Sequence, residues 1–238
     1  MMENNSLTRY SEITEKNRRE IVLLRGSGCK WRRCTFCDYH LDFSLDEDSN
    51  FALNQEILKQ VTGKYQKLEV INSGSFVDLD AKTISLILDT CIEKKITELH
   101  FECHWAHRDA VSALRRTFET HGIQVKLKIG VETFDSQYRE QVLHKGIDET
   151  SPAKIAACFD EVCLLFGLDG QTEASMRYDI ETSLANFERV CINIMVENTT
   201  SVRPNPSVID VFIKKIYPLY KADERVDILL DNTDFGVG

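Results

Sequence analysis

The residues most able to do chemistry are three thiols. Residues 25–40, RGSGCKWRRCTFCDYH, place Cys29, Cys34 and Cys37 in a C-x4-C-x2-C pattern behind Gly26 and Gly28, with Trp31 and Phe36 between them. Thiolates at such spacing hold soft metal centres. Structural zinc takes four ligands, commonly from two cysteine pairs. Only one C-x2-C pair is present, and Cys103 has the phase of an apolar strand face, so a zinc site would draw on Asp38 or His40. A four-iron cluster fits better: held by three thiolates, it keeps one iron open, as a catalytic zinc keeps one position open. The absent fourth cysteine would then be functional.

Other reactive side chains fall along predicted strands. In 98–104, Leu99, Phe101 and Cys103 share one face, while Glu98, His100, Glu102 and His104 share the other. In 125–132, Val125, Leu127, Ile129 and Val131 oppose Lys126, Lys128, Gly130 and Glu132. In 190–197, Val190, Ile192, Ile194 and Val196 oppose Cys191, Asn193, Met195 and Glu197, and the last strand sets Val226, Ile228 and Leu230 against Asp227 and Asp231. Carboxylates on such a face suit a ligand rich in hydrogen-bond donors. Glu102, His104 and Asp231 are the leading candidates to meet substrate, followed by Glu197 and Lys128. His104 could also pass a proton. With His107 it forms an H-x2-H pair, a weak metal pattern with no further ligand in reach.

The elements that must carry these residues alternate. Strands are expected at 21–25, 68–72, 98–104, 125–131, 161–166, 189–196 and 226–230. Helices are expected at 51–61, 81–95, 109–120, 136–145, 175–187 and 207–220. Asp80 is placed to cap the helix at 81, whose stripe comprises Ile84, Ile87, Leu88, Cys91 and Ile92. Repeated strand–helix units imply a parallel sheet covered by helices on one face. A doubly wound sheet would read as continuous apolar runs, and a closed barrel has an apolar lumen. One apolar and one polar face instead predict a partial, TIM-like (βα)6 barrel of α/β class with an open, polar-lined concave face. Ligands would sit at the C-terminal ends of its strands, where the cysteine loop lies.

Bulk composition narrows the partners. The 238 residues, 42% hydrophobic, suit one domain over 1–238, with 1–20 a polar extension and 222–238 a strand and tail closing the site. A formal charge of −9 argues against a nucleic-acid binder, with Arg32 and Arg33 a small local exception. No stretch reaches the roughly 18 apolar residues of a membrane span or resembles a secretion signal, so a cytoplasmic location is expected. Eight cysteines in that compartment are not a disulfide framework. Cys91, Cys158, Cys163 and Cys191 read as small buried hydrophobes.

Taken together, the cysteine loop and the βα pattern resemble the radical S-adenosylmethionine enzymes over most of the chain. That family's usual motif is C-x3-C-x2-C after the first strand, with an aromatic residue before the last cysteine; Phe36 holds that place, and the first spacing is one residue longer here. The resemblance implies a [4Fe-4S] cluster on Cys29, Cys34 and Cys37. It also implies S-adenosylmethionine at the open iron, and a radical that takes hydrogen from a small substrate. NSGSF at 72–76 takes the place of the glycine-rich stretch that holds the methionine amino group, which assigns Ser73, Gly74 and Ser75 to the cofactor. The stretch lacks the acidic residue often found there. IGVETF at 129–134 resembles the segment that places the nucleoside, which assigns Glu132, with Lys128 on the same strand. Ile194 would offer backbone to adenine. An electron donor such as flavodoxin or ferredoxin is implied. Within the family the likeness is to minimal carbon–nitrogen lyases acting on a 7-deazapurine base. A radical activase with a protein partner and a zinc-stabilised βα binding module are the alternatives.

Overall fold

The computed structural model describes residues 7–230. Eight strands form one sheet in chain order. They are β1 (Tyr10–Ile13), β2 (Arg19–Leu24), β3 (Lys67–Asn72), β4 (Glu98–Glu102), β5 (Gln124–Glu132), β6 (Glu161–Phe166), β7 (Arg189–Ile194) and β8 (Val226–Leu229). β1 runs antiparallel to β2, and every later pair is parallel. Helices α1 (Glu47–Leu58), α2 (Ala81–Lys94), α3 (Val111–Glu119), α4 (Ser136–Gln141), α5 (Pro152–Ala156) and α6 (Glu173–Asn186) connect the strands. The last connection joins α7 (Pro206–Val211) to α8 (Tyr217–Tyr220) through a π turn, Phe212–Ile216. Pro218 lacks the N–H that a regular helix would need there. The sheet is a partial barrel with helices outside, as the strand phases predict.

The apolar faces form the main core under the helices. Val70, Leu99, Leu127, Ile129, Val162, Leu164, Val190 and Ile192 are all fully buried there. Asp80 caps α2 by accepting from Thr83 N, and the buried side of its stripe is Ile87 and Cys91, while Ile92 is exposed. The segment read as a polar extension contributes β1. That four-residue edge strand is half-buried and carries Glu12, a charge that blunts pairing with other chains.

The concave face departs from expectation in its lower half. The strand phases predict a solvent-lined surface, but side chains from seven strands fill it as a buried ionic network. Glu69 accepts from Arg19 and Lys128, and Arg189 binds Glu161 (2.5 Å) and Asp227 (2.6 Å). His100 places its nitrogens 2.9 Å from Glu98 and 3.0 Å from Glu161. Burial alone would raise Glu69, but Lys128, Arg19 and Arg189 outweigh it and hold the carboxyl well below its ordinary value. The network also draws the sheet's ends together at the base, where Arg19 of β2 reaches Asp227 of β8 at 3.3 Å and Asn17 donates to the same carboxylate at 2.9 Å.

Candidate functional site

The upper half of the concave face opens into a cavity at the strands' C-terminal ends. About 800 Å³ lies among its lining residues, part of it continuous with solvent. Cys29, Cys34 and Cys37 form one wall, Asn72, Ser73 and Gly74 a second, and Glu102, Lys128, Glu132 and Asn193 the strand side. The loop after β2 is folded over the mouth by backbone bonds, Ser27 N to Asp78 O at 2.8 Å and Thr35 N to Leu143 O at 3.2 Å.

The extra residue of the cysteine loop has a local explanation. Arg32 takes a left-handed conformation (φ 48) and lays its guanidinium over Phe43, 4.2 Å from the ring centre. Trp31 then turns back toward the barrel. Its ring stacks on His104 with centroids 5.2 Å apart, and its Nε1 donates to His144 O at 2.9 Å. Gly146, at φ +71, leaves the space this ring fills; a Cβ there would lie 2.1 Å from it.

All three thiols are half-buried and free. Cys34 and Cys37 pack with Phe36, Leu143, Leu165, Leu168 and Met195 in a small apolar cluster of their own. Burial pushes the Cys37 thiol up to about 12 and raises Cys34, with the Lys145 ammonium opposing both shifts. Such a pocket suits thiolates compensated by a cationic inorganic core. A single zinc ion fits poorly. No three Cys, His, Asp or Glu side chains among the described residues converge on one point. The Asp38 carboxylate is taken by the N–H and hydroxyl of Thr199 at 2.9 and 3.0 Å. The His40 side chain lies outside the described residues. A cube needs no convergence, because each thiolate takes a separate iron.

The opposite wall has the features of a cradle for a small polar molecule. Gly74 packs so close to the cysteine loop that a Cβ would lie 2.9 Å from Cys29 Cα. Asn72 and Asn193 reach the cavity from β3 and β7, and the Oδ1 of each is buried with no hydrogen-bond partner among the described residues. Buried acceptors of this kind call for donors from a ligand. Ser75 lies behind the wall, its hydroxyl accepting from His104 N at 2.9 Å. Ile194 is buried, with its side chain in the outer core.

Glu132 sits at an irregularity of β5, where the register with β6 shifts between Gly130 and Glu132, and its φ is 69. That conformation is costly for a non-glycine residue. Its carboxylate binds Lys145 at 2.7 Å. Glu102, 3.1 Å from Lys128, has its carboxyl raised by burial and by nearby Glu69. His104 lines the cavity with both nitrogens engaged: Nε2 lies 2.7 Å from Lys145 O, and Nδ1 accepts from Ala106 N. Burial and Lys145 lower its pKa to about 4. Nδ1 as acceptor makes Nε2 the N–H donor, so the ring is a neutral spacer between the two loops. Its T-shaped contact with His107, 6.4 Å between centroids, is no metal pair. Glu197 falls away from the cavity, exposed and 3.4 Å from Arg203. Asp231 lies outside the described residues. Strand phase puts Asn193 on a polar face without giving it a role, and Lys145, Asn72 and Tyr39 are cavity residues that sequence patterning missed. Asn72 could have been found from strand phase, whereas Lys145 and Tyr39 sit in loops with no periodicity to read.

No protein-family model matches the chain. An uncharacterized protein of Methanocaldococcus jannaschii is 23% identical over 145 residues; the match covers 53% of this chain and 38% of that protein, so the chain spans little more than a third of this relative. Among solved structures, SuiB from Streptococcus suis aligns with a TM-score of 0.56 at 12% identity, over 88% of this chain and 49% of its own, and a second SuiB structure is bound to S-adenosylmethionine. That likeness is one of fold. Queuine lyase from Clostridium spiroforme, solved with S-adenosylmethionine and queuine, aligns with a TM-score of 0.92 and is 41% identical, over 98% of this chain and 100% of its own. With the three-thiol loop and the polar-lined partial barrel already in place, this full-length likeness makes the chain a member of the queuine lyase family of radical S-adenosylmethionine enzymes.

Proposed function

We propose that this enzyme cleaves the carbon–nitrogen bond of queuine and releases 7-aminomethyl-7-deazaguanine. The observation that carries the reading is the full-length match to a queuine lyase bound to that base and to S-adenosylmethionine. The cavity supports it: Glu102 and the open Asn193 acceptor are suited to the donor edge of a deazaguanine. Once bound, the cluster and S-adenosylmethionine supply a carbon radical that takes one hydrogen atom from the substrate.

The chain's own residues then have assignable tasks. Cys29, Cys34 and Cys37 hold the cluster. Ser73 and Gly74 offer backbone to the methionine end, with Ser75 fixing that turn from behind, and Ile194 offers backbone to the adenine. Glu132 takes the ribose. Lys128 holds Glu102 in place toward the base, His104 keeps Trp31 packed over the cysteine loop, and Asp231 is assigned to the substrate. Lys30, Arg32 and Arg33, exposed on that loop, favour an acidic electron donor such as flavodoxin or ferredoxin. Residues 1–238 act as one catalytic domain. No helix among the described residues is long and apolar enough to cross a membrane, and we place the enzyme in the cytoplasm, where its thiols stay reduced.

The test is anaerobic incubation of reconstituted enzyme with reductant, S-adenosylmethionine and queuine. The aminomethyl base and 5′-deoxyadenosine should appear together, read by mass spectrometry. Enzyme that makes 5′-deoxyadenosine yet leaves queuine intact would remove the lyase reading.

A further inference from the structure

Lys145 belongs to no motif, yet it stands at the centre of the site. It comes from the loop after α4, which is fixed in place by buried Arg139. That guanidinium donates to Ile147 O (3.1 Å) and Glu149 O (2.9 Å), while Glu140 accepts from Gly146 N and Ile147 N. The Lys145 side chain is 13% exposed, its ammonium 2.7 Å from Glu132 and 5.5 Å from the centre of the Phe36 ring, between Cys34 and Cys37 in sequence. Gly130 makes room for the pair, since a Cβ there would lie 2.4 Å from the Glu132 carboxylate and 2.8 Å from the ammonium. A buried cation is thus held in the cavity that the thiols line, paired with one carboxylate.

We propose that Lys145 is a positioning residue that sets the reduction potential of the cluster, with Glu132 as its counterweight. Reduction adds one negative charge to a centre already carrying three thiolates. A fixed ammonium beside those thiolates favours the added charge, and the carboxylate paired with it subtracts part of the effect. The arrangement also couples the cofactor to the cluster, because a ligand that engages Glu132 weakens its hold on the ammonium. The inference rests on the cluster reading of the three cysteines but not on the identity of the substrate.

The experiment is an anaerobic redox titration of the reconstituted cluster, followed by visible absorbance and electron paramagnetic resonance, in four variants. Lys145→Met should shift the ratio of reduced to oxidised cluster about tenfold toward oxidised at a fixed potential, about 59 mV for one electron. Glu132→Gln should shift it the opposite way. The double variant, which removes a net-neutral pair, should fall between the singles, and Lys145→Arg should stay near wild type. A merely structural lysine would move both single variants in one direction or neither. Equal potentials in all four variants, each loaded with about four irons, would overturn the proposal while leaving the cluster reading intact. Wild-type protein that takes up no four-iron cluster would overturn both.

Discussion

At single positions, the site divides into groups proposed to hold the inorganic centre and groups that hold everything else in register. Cys34 packs in a satellite cluster separate from the main core. Cys34→Ser should therefore abolish iron loading and 5′-deoxyadenosine formation while the thermal midpoint falls by only a few degrees; a large loss of fold stability would favour a structural metal instead. Gly146→Ala drives a methyl group into the Trp31 ring at a left-handed position. It should disorder the cysteine loop and lower cluster retention, measured as iron per chain after gel filtration, with far-ultraviolet circular dichroism preserved. Glu102→Gln keeps the shape but removes the charge that faces Lys128. Its expected result is a loss of at least tenfold in kcat/KM for the base, with 5′-deoxyadenosine still formed in the absence of substrate.

Among the elements, the strands act as carriers whose inner residues meet only because the sheet curls. Glu69 of β3 contacts Arg19 of β2, Lys128 of β5 and Arg189 of β7, so one carboxylate ties four strands. Removing one partner of a buried charge set leaves the others uncompensated. Glu69→Ala should destabilise the fold by about 3–5 kcal/mol, read as a lower urea midpoint. If the loss stays below about 1 kcal/mol, comparable to a surface pair, the network is not structurally important. Helix α4 shows the other side of element prediction. The sequence pattern predicts a helix to 145, but it ends at Gln141, and the chain crosses the mouth through His144 and Gly146, both at positive φ. That early ending delivers Lys145 into the cavity.

For the whole molecule, the ionic network makes stability depend on pH from both sides. Glu98 is held at about 2, against an ordinary 4.5, by His100, with burial opposing and Lys67 assisting. Its contribution is complete above 4.5 and is lost as pH falls toward 2. Glu161 is also low, because Arg189 and His100 outweigh its burial. His100 is raised above its ordinary 6.5 because Glu161 and Glu98 outweigh burial. Its contribution is complete below 6.5 and is lost as pH rises through the higher folded value. Urea midpoints should therefore decline on the acid side between 4.5 and 2 and again on the alkaline side. His100→Asn should flatten the alkaline decline and, because His100 also holds Glu98 and Glu161 low, weaken the acid-side decline as well; an unchanged alkaline profile in that variant would exclude this origin.

The sequence by itself determined the cysteine trio, the βα alternation and the division of each strand into an apolar and a polar face. These are local facts, encoded in spacing and in a period of two. The three thiols and Glu102 were legible for that reason, whereas Gly74 and Glu132 were assigned by resemblance to the family. Where the polar faces would stay open and where they would be buried was not legible, because the partners of Glu69, His100 and Arg189 lie on strands up to 208 residues apart along the chain, as between Arg19 and Asp227. Only the tertiary structure decided that the lower interior is filled by ion pairs, that His104 is a neutral spacer, and that Glu197 faces solvent. It also decided the role of the added residue in the cysteine loop, whose left-handed turn at Arg32 works only because Phe43, His104 and Gly146 receive the side chains it redirects. Spacing names the ligands; the curl of the sheet chooses their neighbours.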